Sequence, residues 1–396
     1  MAIVINGSGT VTGLAVGGLP DGTVDAGTLA TDSVVTGKIA DGTIANADIA
    51  DLAASKLTGA LPAISGASLT SVNAVNSGKK NIIINGGMQI NQRGAGSLTI
   101  NSGSLQYPCD RFAARGVSSA GVFTLEKVTD SPAGFTNSLK ATVTTADSSL
   151  SGTESYRIVQ HIEGNNSYYL NWGSSDNQTA TLSFKVKSSL TGTFGGVVQN
   201  GDYNRFVPFT YTISSANTWE DKTVTITGDT TGTYQTDTAL AVRLNWSLGA
   251  AQLGTAGTYS GSALNGATGQ TQVISTNGAT WQVTGVQLEV GSIATDFEHR
   301  SYGEELALCQ RYYFKSELTY FTGFSDGNTS TRCAVDGQHP VTMRTDPTVT
   351  YNQQSLSGSP LTGTAKANGF YYVFNSQYAN RGGITDISSY VADAEL

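Results

Sequence analysis

The segment Ala239-Leu-Ala-Val-Arg-Leu-Asn-Trp-Ser-Leu248 decides the fold class, because its large apolar residues occupy every second position. A period of two is that of a strand with one buried face. The inward face is then formed by Leu240, Val242, Leu244, Trp246 and Leu248, and the outward face by Ala239, Ala241, Arg243, Asn245 and Ser247. Trp246 is therefore predicted to lie in the core.

Strand signals like this one recur about every dozen residues from Asn81 onward, separated by Gly, Asn, Asp and Ser clusters. Near the end of this region Trp281 and Val283 occupy odd-numbered positions, whereas Val286, Leu288 and Val290 occupy even-numbered ones. Gly285 lies between the two sets. A β-bulge at Gly285 would turn both sets inward. Roughly 210 residues of such strands predict a two-sheet jelly-roll rather than an immunoglobulin-like sandwich, which needs about 100.

The composition excludes several classes of protein. Only 13% of the 396 residues are charged and 47 are glycine, which argues against a helical protein. No stretch approaches the roughly 20 apolar residues of a membrane span, so no membrane insertion is expected. A net charge of −8 with few Lys and Arg makes nucleic acid a poor partner. The start MAIVING shows no secretory signal, so we expect synthesis in a cytoplasm. Cys109, Cys309 and Cys333 show no spacing typical of a disulfide framework.

An aliphatic residue recurs every fifth position near the N-terminus: Leu19, Val24, Leu29, Val34, Ile39, Ile44 and Ile49. A period of five matches neither a helix nor a strand. One buried side chain contributes about 2 kcal/mol, less than the entropy of ordering five residues. We therefore expect these residues to line the axis of a homotrimeric shaft, where other copies share the apolar row. A single-chain coil and a disordered linker are the alternatives.

The remaining segments complete an elongated, mainly β architecture. Ile3, Ile5, Val11 and Leu14 flank a Gly-Ser-Gly turn, which indicates a terminal hairpin suited to attachment. A helix is predicted from Tyr302 to Lys315, with Glu304 and Glu305 at its start, Arg311 and Lys315 at its end, and an apolar stripe of Leu308, Cys309, Tyr312 and Tyr313. The predicted domains are an attachment segment (1–20), the shaft (21–59), a linker (60–80), the jelly-roll (81–300), a connecting helix (301–316) and a distal β tip (317–396).

The sequence offers little support for catalysis, metals or cofactors. His161, His299 and His339 are far apart and lack the spacing of a metal site. Gly323-Phe-Ser-Asp-Gly327 matches G-x-S-x-G. A nucleophile elbow requires a helix after the serine, but the residues that follow are poor helix formers. Asp326-Gly-Asn-Thr-Ser330 lacks the glutamate that closes a calcium loop. We predict no catalytic residue, no metal and no cofactor, and therefore not an enzyme.

Sugar binding would need exposed aromatic rings and planar polar groups. Residues of these types lie in or beside Gly- and Asn-rich loops or in the C-terminal region: Tyr168, Trp172, Tyr203, Arg205, Tyr371 and Tyr378. Their alternative role is to cap the sandwich core. For Trp219, which precedes a strand, the structural role is preferred.

Several long segments resemble the tail-fibre proteins of tailed bacteriophages, among them NIIINGGMQINQRG, HIEGNNSYYLNWG, VTGVQLEVGSIATDFEHR and YGEELALCQRYYFK. INGSGTVTGLAVGGLPDG is similar to the particle-attaching ends of such fibres, and HPVTMRTDPTVTY to their distal tips. The resemblance implies a jelly-roll similar to carbohydrate-binding modules in a virion fibre.

The resemblance implies three kinds of partner for the chain. They are other copies of the chain, a tail adaptor or nozzle protein at the N-terminus, and a host-surface polysaccharide or protein at the C-terminal domains. The resemblance supplies no sugar-binding residue that can be carried over. A head fibre or particle-decorating protein without a receptor, and a capsule-degrading tailspike, are the alternatives.

Overall fold

The computed structural model describes residues 4–5, 11–12, 80–117, 120–316, 319–323, 332–355, 362–375 and 383–396. The chain divides into two compact units, Met1–Val72 and Asn73–Leu396. In the first unit, β1 (Val4–Ile5) pairs antiparallel with β2 (Val11–Thr12), which confirms the short hairpin. Ile3, Leu14, all seven shaft positions, Tyr378 and both loop motifs after Gly323 lie outside the described residues. The shaft, the trimer and the domain boundaries therefore stay predictions.

The second unit contains a sandwich of two six-stranded sheets, together with one short parallel strand pair. These strands are β3 (Leu98–Ile100), β4 (Gln106–Cys109), β5 (Phe112–Val117), β6 (Val122–Val128), β7 (Ser138–Thr145), β8 (Ser155–Glu163), β9 (Ala180–Ser188), β10 (Gly192–Asn200), β11 (Phe206–Ile213), β12 (Glu220–Ile226), β13 (Leu240–Ala250), β14 (Leu253–Gly254), β15 (Gly266–Ala267) and β16 (Thr280–Val290). The first sheet has the order β11-β10-β13-β8-β5-β4 and the second β12-β9-β16-β7-β6-β3. The mainly β jelly-roll fold is thus confirmed.

One apolar core fills the space between these sheets, and tryptophans lie at its centre. Trp246 is fully buried, as predicted, with ring centroids 5.9 Å from Phe184 and 6.3 Å from Trp281. The bulge is also confirmed, because the pairing of β16 with β9 shifts register between Thr284 and Gln287 and Gly285 adopts φ +62°. Glycine is suited to this left-handed conformation.

The predicted helix is correct at its start and wrong at its end. Helix α1 (Tyr302–Gln310) begins with a capping box between Ser301 and Glu304, and then the chain turns. Tyr313 to Ser316 instead form a strand, because this aromatic run pairs with residues about 80 positions later in the sequence. Lys315 therefore lies on that strand rather than at a helix end. Within the described residues, no helix is long and apolar enough to cross a bilayer.

The C-terminal segment forms two small antiparallel sheets. Its strands are β17 (Tyr313–Ser316), β18 (Thr319–Gly323), β19 (Arg332–Gln338), β20 (Thr348–Ser355), β21 (Thr362–Lys366), β22 (Gly369–Asn375) and β23 (Gly383–Asp393). β23 pairs with β17, β18 and β20, and β22 lies between β19 and β21. Beyond β23 the chain reaches the sandwich, where Glu395 forms ion pairs with Arg93 and Arg111.

Candidate functional site

The outward side of the first sheet carries an unusual set of arginines. Core residues such as Tyr156 and Ile158 alternate along β8 with Arg157, Val159 and His161, which point away from the core. Strand pairing then places Arg157 directly opposite both Arg115 on β5 and Ser247 on β13. We call this surface the arginine face and define it by Arg115, Arg157, Arg243, Asn245 and Gln199, with Tyr203 at its margin.

The floor of the arginine face consists of small or amide side chains. Val197, Asn245, Val159 and Ala113 lie side by side on four neighbouring strands, and all are buried. Three polar atoms among them and their neighbours have no hydrogen-bond partner in the structure: Asn245 Oδ1, Gln199 Oε1 and Arg157 Nε. All three atoms are buried, so they lie beneath the accessible part of the face, where Arg115 is partly exposed and Tyr203 is exposed.

The three arginines bind neutral groups. Arg157 donates to Asn265 Oδ1, and Arg115 Nε donates to the carbonyl of Gly103 over 3.1 Å. Arg243 Nε donates to His161 Nε2 over 2.9 Å, and its guanidinium lies 4.3 Å from the ring centroid of Tyr203 while also bonding the phenol oxygen. Among the described residues, no carboxylate lies within ion-pair distance of these three arginines.

The electrostatics of the face follow from this arrangement. Burial, together with the neighbouring Arg243 and Arg115, lowers the pKa of Arg157 to about 10. Burial and the nearby guanidiniums also hold the pKa of His161 well below its usual value. His161 is therefore neutral: its Nε2 accepts from Arg243, and its Nδ1–H donates to the main-chain oxygen of Leu396 over 2.7 Å. The local charge is positive although the chain is acidic overall.

A carboxylate of the chain itself occupies the neighbouring end of this side of the sheet. Glu395 is ion-paired with the buried guanidinium of Arg111, and Arg93 lies 3.3 Å from its Oε1. Arg111 also donates to the carbonyl of His161 over 2.6 Å, which fixes the position of its guanidinium. A carboxylate held between two arginines therefore lies directly beside the arginine face.

A concavity lies among loops of the sandwich and contains two of the predicted residues. This loop pocket, of about 350 Å³, is lined by Tyr168, Trp172 and Tyr234 among others. Trp172 is only 6% exposed and donates its Nε1–H to Gln178 O over 2.7 Å, whereas the ring of Tyr168 is exposed. Burial favours the structural role for Trp172, which was the alternative to sugar binding.

The other predicted residues are dispersed. Tyr203 is 47% exposed at the margin of the arginine face. Arg205 forms a bidentate ion pair with Asp229, with N–O distances of 2.6 and 2.7 Å, so its guanidinium is already engaged. Tyr371 is exposed on β22, far in sequence from both surfaces. Trp219 is partly buried beneath the Lys187 ammonium, 5.1 Å from the ring centroid.

The sequence reasoning missed Arg115, Arg157 and Gln199, although it placed Arg243 and Asn245 on an outward face. The available signal was an arginine at an outward position in each of three strand-like segments of a chain with only 22 Lys and Arg. A cavity of about 660 Å³ beside α1 contains Arg300 and Arg311, but both are paired with carboxylates. Within the described part of the chain, no three His, Cys, Asp or Glu side chains gather as a metal site would require.

No family model matches the chain, and no curated protein matches it. Among solved structures, the carbohydrate-binding module TmCBM61, in complex with beta-1,4-galactotriose, is 10% identical over 54% of this chain and 100% of its own, with a TM-score of 0.28. The family 11 carbohydrate-binding module of a Clostridium thermocellum cellulase is 10% identical over 51% of this chain and 98% of its own, with a TM-score of 0.25.

The enzymatically active domain of tailspike protein 4 from Bacteriophage CBA120 is also similar. It is 13% identical over 53% of this chain, with a TM-score of 0.27, and the match spans only 21% of the tailspike chain. Likenesses with such low identities and TM-scores assign no function. The sandwich described above is established by the strand pairing itself.

Proposed function

We propose that this chain binds a host-surface glycan through the arginine face. The observation that carries the proposal is the exposed ring of Tyr203 beside arginines that have no carboxylate partner among the described residues. The partly exposed guanidinium of Arg115 can donate to sugar hydroxyls. The ring of Tyr203 can cover the apolar face of a pyranose. Guanidinium and amide groups suit binding, whereas glycosidases use a pair of carboxylates, so we infer binding without hydrolysis.

We further propose that the chain acts as a tail fibre of a virion. The support is the resemblance of its long segments to tail-fibre proteins, together with the sparse aliphatic ladder from Leu19 to Ile49. In that setting the N-terminal hairpin would dock to a tail adaptor or nozzle protein, and three chains would present three binding faces. Several weak sites held together bind far more tightly than one. Light scattering of the full chain tests the trimer, and a monomeric mass would overturn it.

Glycan binding is tested by applying the full chain to an array of neutral and acidic bacterial surface glycans. Tyr203→Ala should weaken binding about tenfold, because it removes the aromatic surface at the margin of the face. Tyr302→Ala, which removes an exposed tyrosine at the start of α1, is the matched control and should bind like the parent chain. Folded protein that binds no glycan would overturn the proposal, and release of reducing sugar would overturn the absence of hydrolysis.

A further inference from the structure

The arginine face brings like charges together, and their repulsion does not stabilise the fold. Arg115 and Arg157 are directly opposite on adjacent strands, and like charges in such pairs are destabilising. Arg243 lies on the next strand and adds to the repulsion felt by Arg157. The chain has only 22 basic residues against 30 acidic ones, so three unpaired guanidiniums on one surface are a marked local excess.

Two of these guanidiniums have also lost most of their contact with water. Arg157 and Arg243 are each only 8% exposed, and buried charges in folded proteins are normally paired. Here their described partners are an amide, a neutral imidazole and a phenol, and Arg157 Nε has no partner. An incoming anion would supply the missing counter-charge. Its attraction would be strong because nearby water is scarce.

The neighbouring Glu395 indicates which anion suits this surface. Its carboxylate contacts Arg111 and Arg93, beside His161, on the same side of the sheet. Guanidinium groups bind carboxylates through two parallel hydrogen bonds, which gives such pairs strength and a defined orientation. A carboxylate is therefore held beside the arginine face, whose own three arginines have no carboxylate partner among the described residues.

Building on the proposed glycan-binding function, we propose that the arginine face selects acidic polysaccharides by binding the carboxylates of uronic or sialic acid units. Arg157, Arg243 and Arg115 hold the carboxylates. The exposed ring of Tyr203 packs against a sugar ring. No bond is formed or broken. A neutral polymer of the same backbone would leave the guanidiniums without a counter-charge and would bind weakly.

The test compares acidic polymers with their own carboxyl-reduced forms, in which each carboxylate becomes a hydroxymethyl group. The full chain is titrated with polygalacturonate, alginate, hyaluronan and polysialic acid, and with the reduced form of each. We expect at least one acidic polymer to bind about tenfold or more tightly than its reduced form, and the preference to shrink as salt is raised.

Variants separate the role of the face from a general charge effect. Arg115→Gln and Arg243→Gln should each weaken binding to the acidic polymer about tenfold, whereas Lys140→Gln on the second sheet removes the same charge and should leave binding unchanged. A thermal melt establishes that each variant is folded. Arg115 is partly exposed and should tolerate the change best.

The outcomes distinguish this inference from the proposed function. Equal binding of acidic and reduced polymers, or binding of neutral glycans alone on the array, would overturn acidic selectivity and leave glycan binding intact. An equal loss with Lys140→Gln would show nonspecific charge attraction and would also overturn the inference. Absence of binding to every glycan and polymer would overturn both.

Discussion

Replacing Glu163 by Gln should loosen the junction between the sandwich and the C-terminal segment. The Glu163 side chain has no solvent exposure. It accepts hydrogen bonds from Arg311 Nε and Nη2 over 3.0 and 2.5 Å and from the Tyr312 hydroxyl over 2.6 Å. Arg311 and Tyr312 directly follow α1, so one carboxylate at the end of β8 joins both regions. Glu163→Gln keeps the shape of the side chain and removes only its charge.

The expected loss of unfolding free energy is about 2 to 3 kcal/mol. Removing one partner of a buried ion pair typically costs about 3 to 5 kcal/mol. The loss should be smaller here, because Arg311 is 27% exposed and the new amide oxygen can still accept from the Tyr312 hydroxyl. Glu126→Gln on β6 is the control and should change the unfolding free energy by less than about 0.5 kcal/mol.

Urea unfolding of both variants, followed by the fluorescence of the buried Trp246 and Trp281, measures these differences. Their pH dependence gives a second check. Burial opposes ionisation of Glu163, but the hydrogen bonds from Arg311 and Tyr312 outweigh it and hold its pKa below 4.5. The difference in unfolding free energy between the parent chain and Glu163→Gln should therefore be complete above pH 4.5. It should disappear as the pH falls through the lower pKa of Glu163 in the folded state. Equal stability of parent and Glu163→Gln at pH 7 would refute this reasoning.

Two further substitutions test the bulge and the role of a predicted site residue. Gly285→Ala should cost about 2 kcal/mol, because φ is +62° and the new Cβ would lie 2.7 Å from the Phe135 ring, whereas Gly278→Ala, with φ +79° and open space, should cost about 1 kcal/mol. Equal losses in urea unfolding would contradict the steric argument. Arg205→Ala should lower stability by about 2 kcal/mol, because Asp229 loses a bidentate partner, and should leave array binding within twofold of the parent. A selective loss of binding would instead place Arg205 in the site.

Local sequence patterns were sufficient for the sandwich but not for the chain that follows it. Alternation around Trp246 and the parity change at Gly285 are properties of single strands, so they could be read without knowing any partner. The end of α1 could not be predicted in this way. Tyr313 pairs with Asp393 in a strand, and no local pattern encodes that contact. The helix start was readable, since its capping box lies within four residues.

The difference between local patterns and long-range strand pairing also explains which residues of the candidate site could be predicted. The outward position of Arg243 follows from alternation alone, but its neighbours depend on the order of the strands. Arg115 and Arg157 are 42 positions apart in the sequence and become opposite only because β5 pairs with β8. Trp172 was predicted from its loop context, and the burial of its ring depends on Tyr234 and Gln178, which the loop sequence does not reveal.

The position of β16 has a consequence for how the chain acquires its fold. This strand is the last of the sandwich in sequence, yet it lies in the middle of the second sheet and joins β7 to β9. Until residues 280–290 are added, that sheet exists only as two separate groups of strands with unpaired inner edges. Such edges invite association with other chains. A ribosome-bound or truncated product ending before Thr280 would therefore be prone to aggregate, and folding should be slow and dominated by late, long-range pairing.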